Sequence, residues 1–222
     1  MATKFDPRFF DRLVWPECGM VRIGGPHDGG YVIADALSRV RRCLTFGVGA
    51  DVSFEQDLAI RGISSILFDH TVSGLPRQHS RMVHLRQPWR EPESGIESIA
   101  PADGDILKFD VEGDEWPNLA ALGADQLCRF THIIGEFHEC EIMWSSESLD
   151  KLTTHHNLIH VHGNNYGTTF AHDGKVWPSV MEMTFARKDL CQFVPHEKAL
   201  PLIIDSPNCP SLPEITIPIL RP

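Results

Sequence analysis

Apolar residues recur along this chain in short dense runs rather than in long helical stripes. Residues 43–46, 63–69, 82–85, 105–110, 130–136, 158–162 and 179–186 each carry such a run, rich in Ile, Leu, Val and Phe and bounded by glycine or polar turns. Runs of that length and composition predict seven strands. Between them lie helix-compatible stretches. Residues 54–61 place Phe54, Leu58 and Ala59 at helical spacing, with Ser53 as the expected N-cap and Gly62 as the stop, and residues 145–155 read as a further helix. Strands alternating with helices predict an α/β fold with a mostly parallel seven-stranded sheet and helices on both faces. The last strand, 179–186, is expected to lie antiparallel at the sheet edge.

The ends differ from this core. Phe5, Phe9, Phe10, Leu13, Val14 and Trp15 suit a short amphipathic helix covering one side of the core. Residues 21–33 hold four glycines and a proline, which break any helix and predict two extended pieces around a loop. Asp28, Gly29, Gly30 and Tyr31 of that loop either close over a ligand or form a plain hairpin turn. Residues 34–42 are compatible with a helix. The stretch 193–222 carries seven prolines and predicts an irregular strap. One domain is expected over 1–222: a cover and loop (1–36), a core (37–186) and a proline-rich tail (187–222).

Composition narrows the classes of partner. The formal charge is −10, with no Lys/Arg cluster longer than Arg41-Arg42, so neither a nucleic acid nor an anionic membrane surface is expected to bind. The N-terminus lacks a secretory apolar core, and no run approaches ~18 apolar residues. A soluble, cytoplasmic protein acting on a small molecule is expected. Six cysteines without a Cys-x-x-Cys pair read as reduced core residues. The N-terminal cover and the tail are the segments that would serve a homodimer.

Chemistry concentrates at strand ends. Phe46-Gly47-Val48-Gly49-Ala50-Asp51 turns a strand into a helix over bare backbone, with Asp51 and Ser53 beside it, the local geometry for a nucleotide-like cofactor. Asp69, followed by His70, ends the next strand 20 residues after Gly49, where an acid accepts hydrogen bonds from ribose hydroxyls. The third glycine of a dinucleotide turn is missing, its place taken by Val52. That argues against a pyrophosphate and for an adenosyl group without one. Asp110 and Glu112 end the fourth strand and point to the same crevice, while Asp114 and Glu115 suit the first turn of a helix near Trp116-Pro117.

Taken in order, Phe-Gly-Val-Gly-Ala-Asp-Val-Ser-Phe-Glu (46–55), Phe68-Asp69 and Leu-Lys-Phe-Asp-Val-Glu-Gly-Asp-Glu-Trp (107–116), with the earlier Asp-Gly-Gly-Tyr-Val (28–32), resemble the FkbM-type S-adenosylmethionine-dependent methyltransferases. The resemblance spans roughly residues 20–165. It implies a Rossmann-like class I methyltransferase fold, with Gly47 and Gly49 beside the methionine part of S-adenosyl-L-methionine, Asp69 on its ribose and Asp110 near the transferred methyl. It implies O-methylation of a hydroxyl on a sugar or similar metabolite. A nicotinamide-dependent oxidoreductase and a non-catalytic metal-binding or scaffold protein remain the rival readings.

Two histidine pairs complete the candidates. Glu136 and His138 share one face of an extended segment at the fifth strand's end, as do His160 and His162 at the sixth. His138 or His162 is expected as the base that takes the acceptor's proton, with Asp110 orienting the acceptor. Asp110, Glu136, His138, His160 and His162 are the expected ligands of a divalent metal, the histidines favouring zinc, manganese or iron. Trp144, Tyr166 and Trp177 are candidate walls of the acceptor pocket.

Overall fold

All seven expected strands form, and they pair into one sheet: β1 (Arg42–Phe46), β2 (Ser64–Phe68), β3 (Met82–Leu85), β4 (Asp105–Phe109), β5 (Phe130–Phe137), β6 (His156–Gly163) and β7 (Met181–Arg187). The computed structural model describes residues 4–91, 93, 95–99 and 102–219. Strand order is β3-β2-β1-β4-β5-β7-β6. The first five strands run parallel, and β7 runs antiparallel to both β5 and β6. This is the Rossmann-like class I methyltransferase arrangement.

The seventh strand therefore corrects one expectation, since it is interior rather than at the edge. Both of its faces are covered: Met181, Met183 and Phe185 join the main core on one face, while Thr184 on the other donates a 2.8 Å hydrogen bond to the Val32 carbonyl of an overlying hairpin. Its backbone pairs with β5 on one side and β6 on the other, and the edge strand β6 is buried as fully, so burial alone does not tell edge from interior.

Both faces of the sheet are sealed by the elements the pattern predicts. On one, Leu44, Phe46, Leu107, Phe109 and Ile133 meet Phe9 and Phe10 of the N-terminal cover and the apolar stripes of α2 (Glu115–Ala121) and α3 (Ser146–His155). On the other, Cys43, Ile106 and Ile134 meet Phe54 and Leu58 of α1 (Ser53–Ile60) and Tyr31 of the hairpin Met20–Ile23/Tyr31–Ala34. The cover is a 3-10 turn, Pro7–Arg12, followed by the strand Val14–Pro16, which pairs with Phe193–Pro195 of the tail. The two segments expected to serve a dimer thus pair with each other within one chain. Where a helix is expected over 34–42 only one 3-10 turn forms, Leu37–Arg39, because Arg42 already belongs to β1 and Arg41 N–H is bound to the Gly104 carbonyl at 2.9 Å. The hairpin Thr169–His172/Lys175–Pro178 was not anticipated. The cysteines are free thiols, Cys18 and Cys191 meeting at 2.9 Å beside the cover–tail strand pair. Among the described residues, no helix is long and apolar enough to cross a membrane.

Candidate active site

Register brings the chemistry to one edge. Phe46 stands opposite Phe68 and Phe109, and Phe109 opposite Gly135, so Gly47, Asp69, Asp110 and Glu136 follow in one rank at the carboxyl ends of four strands. Ligands of open α/β sheets bind outside that edge. A cleft of about 240 Å³ lies there, walled by the turn Gly47-Val48-Gly49, by His70, Gln87 and Trp89, and by four carboxylates, Asp69, Asp110, Glu112 and Asp114. No Lys or Arg lines it among the described residues.

The two glycines do different work. Gly47 has φ +83°, and a Cβ there would run into the backbone carbonyl of Asp110, so this glycine lets two strand ends close on each other. Gly49, at φ +55°, has open space where a Cβ would stand, so bare backbone there faces open space. Asp69 is already engaged. One carboxylate oxygen accepts from Val48 N–H (2.9 Å) and Gly49 N–H (3.2 Å), the other from Thr71 N–H (2.7 Å) and Oγ1 (2.6 Å). Burial alone would raise its pKa, but these hydrogen bonds outweigh it and hold Asp69 at about 2. Asp69 thus braces the glycine turn, and ribose hydroxyls would reach it only in place of one of those donors.

Three expected cofactor contacts lie elsewhere. Phe46 is core, its ring stacked 4.8 Å from both Phe68 and Trp89. Val52, not Ser53, is the N-cap residue of α1, and Asp51 accepts from Ser53 N–H at 2.7 Å. Ser53 Oγ instead accepts from Gly25 N–H at 2.8 Å and steadies the hairpin loop. None of the three lines the cleft, because the helix starts tightly and turns their side chains toward the hairpin and the core.

Beside the cleft, and sharing Asp110 and Glu112 with it, is a second cavity of about 310 Å³. Asp28, Glu136, His138, Asn164 and Tyr166 complete its polar wall. Glu136 is buried and accepts from Tyr31 Oη (3.2 Å) and Asn164 Nδ2 (2.9 Å). Burial, then repulsion by Asp110, Glu182 and Asp28, raises its pKa well above the carboxylate range. Asp110 is lifted to about 6, chiefly by burial, with Lys108 and His138 opposing. Its Oδ1 is shut off from solvent and has no hydrogen-bond partner. Beneath this floor Lys108 pairs with Glu55 at 3.3 Å, both buried, and Thr45 Oγ1 donates to the same Glu55 oxygen at 2.7 Å.

His138 occupies the centre of this wall. Its Nε2 lies 3.8 Å from Asp110 Oδ1, 3.6 Å from Glu112 Oε2 and 3.8 Å from Glu136 Oε2. Glu115, fully buried, holds it from behind: Oε1 accepts from His138 N–H at 2.6 Å and lies 3.4 Å from the ring Nδ1, while Oε2 accepts from Gly113 N–H at 2.9 Å. Trp116 Nε1 donates to the His138 carbonyl at 2.8 Å. Burial disfavours the imidazolium, but Glu115, Asp110 and Glu112 outweigh it, and the His138 pKa is raised. Glu115 was expected as a helix-dipole residue and proves to be the post behind His138. Glu112 reaches the histidine through a left-handed backbone, φ 55°, a conformation that costs energy in a non-glycine residue and is common at functional sites.

The other histidine pair is separate from this wall. His160 Nε2 lies 3.0 Å from Asp205, and His162 bridges Glu182 (3.2 Å) and Glu214 (3.1 Å), both rings being buried. Neither lines a described cavity wall beside Asp110. Period-two alternation puts the two on one face, as expected, but the tail covers that face and supplies Asp205 and Glu214, so they fasten the strap rather than open on the crevice. Of the five expected metal ligands, Asp110, Glu136 and His138 come together; His160 and His162 do not join them. Glu112, expected at the same crevice but not in that ligand set, joins Asp110 and His138. Of the expected walls, Tyr166 lines the cavity, whereas Trp144 and Trp177 are core, packed against Phe5 and Phe10.

No family model matches the chain, and no curated protein matches it. Among solved structures it is similar to a delta-N METTL16 MTase domain, at 12% identity over 67% of this chain and 74% of that one, with a TM-score of 0.38. It is also similar to the Burkholderia thailandensis 1,6-didemethyltoxoflavin-N1-methyltransferase with bound 1,6-didemethyltoxoflavin and S-adenosylhomocysteine, at 14% identity over 69% and 73%, with a TM-score of 0.38. Likeness at this level says nothing of this chain's chemistry. The expected FkbM membership is not upheld: no family model matches the chain. The chain is placed by its fold, not by that family.

Proposed function

We propose that this protein is an S-adenosylmethionine-dependent methyltransferase that methylates a hydroxyl oxygen of a small polar metabolite. The carrying observation is the charge of the cleft: a glycine turn walled by Asp69, Asp110, Glu112 and Asp114 with no Lys or Arg among the described lining residues. A dinucleotide's pyrophosphate would meet only like charge there, whereas a sulfonium and an ammonium meet opposite charge. This favours adenosylmethionine over a nicotinamide cofactor.

Gly47, Val48 and Gly49 would hold the cofactor's backbone-facing side, with Asp110 at the passage into the second cavity. When bound, the cofactor supplies an electrophilic methyl group. The chain's own residues position the acceptor: His138, fixed from behind by Glu115, presents Nε2 to the second cavity, and Asn164 and Tyr166 bound the space. The hydroxyl proton passes to a carboxylate of that cavity, not to His162, whose nitrogens both face glutamates.

Thermal unfolding with candidate cofactors tests this reading. Saturating S-adenosylhomocysteine, at about 100 times its Kd, stabilises by about 2.7 kcal/mol, or about 5–10 °C in Tm, and NAD(H) gives no shift. Protection by NAD(H) and not by S-adenosylhomocysteine would overturn it.

A further inference from the structure

We infer that Asp110, Glu112 and His138 form a binding site for one divalent first-row transition-metal ion at the acceptor side of the cleft. The inference deepens the methyltransferase reading, and the ion's catalytic role rests on it; binding itself does not.

One ligand atom from each of Asp110, Glu112 and His138 lies within 4.8 Å of the others. Nε2 of His138 stands 3.8 Å from Asp110 Oδ1 and 3.6 Å from Glu112 Oε2, too far to hydrogen-bond either, yet the three converge on one space. Donors that share an ion stand at such separations or slightly closer, because each approaches the ion to about 2.0–2.2 Å. Two further observations point the same way. Asp110 Oδ1, the oxygen that faces His138, is sealed from water with no donor to satisfy it. Meanwhile Glu115 Oε1 accepts from the His138 backbone N–H and lies 3.4 Å from Nδ1 without hydrogen-bond geometry, so the side of the ring that faces the cavity is Nε2. A single imidazole among carboxylates suits manganese, zinc or iron better than magnesium, which prefers oxygen alone.

In the reaction the ion would take the acceptor's hydroxyl oxygen into its coordination shell and lower that hydroxyl's pKa. The O–H proton leaves to Asp28, a cavity carboxylate outside the donor set, and the oxygen's electron pair attacks the methyl carbon while the methyl–sulfur bond breaks, its pair staying on sulfur as S-adenosylhomocysteine departs.

The test uses the full chain, without an affinity tag and stripped with a chelator. Titrated with Mn(II) and followed by the EPR signal of the free ion, it should show one saturable site per chain in the absence of any nucleoside. Glu112→Gln and His138→Gln each weaken that site at least tenfold, on the order reported for lost ligands or their supports, and Glu115→Gln weakens it about tenfold. Glu112 carries the decisive variant, because its side chain is 87% exposed and the fold does not depend on burying it. Rescue of Mn(II) affinity by Glu112→Asp supports ligation. No saturable site in the wild type, or equal affinity in wild type and Glu112→Gln, overturns the inference. Protection by S-adenosylhomocysteine is measured without metal, so the failure of either proposal is visible apart from the other.

Discussion

Replacing His162 by glutamine should make stability less dependent on pH above neutrality, and by a calculable amount. In the fold this imidazole lies between Glu182 at 3.2 Å and Glu214 at 3.1 Å. Burial opposes its protonation, but the Glu182 hydrogen bond and the charges of Glu182, Asp205 and Glu214 prevail, and its pKa rises to about 9 from an ordinary 6.5. A pKa raised by folding means the folded state holds the proton more tightly than the unfolded one. The resulting stability is fully present below pH 6.5 and is lost as pH climbs through about 9. A rise of about 2.5 in pKa corresponds to about 3 kcal/mol, a ceiling because Glu214 is partly open to solvent and screening acts there. Urea denaturation from about pH 6 to about pH 10 should show wild type losing up to about 3 kcal/mol more than His162→Gln over that span. The variant should be the weaker protein at the acid end and nearly equal to wild type at the alkaline end. Parallel curves for the two proteins would refute the bridged-imidazolium account.

Further outcomes follow from the same geometry. Glu55→Gln strands the buried Lys108 ammonium and should cost about 3–5 kcal/mol in chemical denaturation, while Glu55→Met with Lys108→Met should recover most of it. Gly47→Ala meets the Asp110 carbonyl and should cost about 3 kcal/mol or more, read as a lower Tm. Gly49→Ala meets nothing and should cost only about 1–2 kcal/mol for its left-handed backbone, yet abolish the Tm shift given by S-adenosylhomocysteine.

The contrast between those two glycines shows where sequence reasoning reaches and where it stops. Apolar runs found every strand of the sheet, since burial on two faces leaves few alternatives to a dense β-branched and aromatic segment. The same logic misplaced β7, because a run of buried residues says that a strand is covered but not which neighbours cover it. At the site, Gly47, Gly49, Asp69 and Asp110 were legible from their positions at strand ends. Their partners were not. Whether Asp69 holds a ligand or its own turn depends on Thr71 and on two amides brought near by folding. Glu115 looked like an ordinary first-turn acid, and only the tertiary fold sets it behind His138. His160 and His162 were assigned to the crevice on a correct alternation, but nothing local signals that Asp205 and Glu214, 45 and 52 residues onward, cover that face.

The fastening of the tail bears on how the molecule is made. Residues that wall the glycine-turn cleft all lie between Gly47 and Asp114, whereas the loop bearing Asp28 beside the second cavity is fastened by late arrivals. Asn208 donates to Glu182 and its carbonyl receives Asp28 N–H, Pro207 receives His27, and Glu214 closes on His162. During synthesis the cleft residues leave the ribosome about a hundred residues ahead of that closure, at on the order of 5–20 residues per second. A nascent or C-terminally clipped chain would then carry the glycine-turn cleft with the loop bearing Asp28 untethered. On the proposed function, proteolysis within the tail would silence transfer before it released the cofactor.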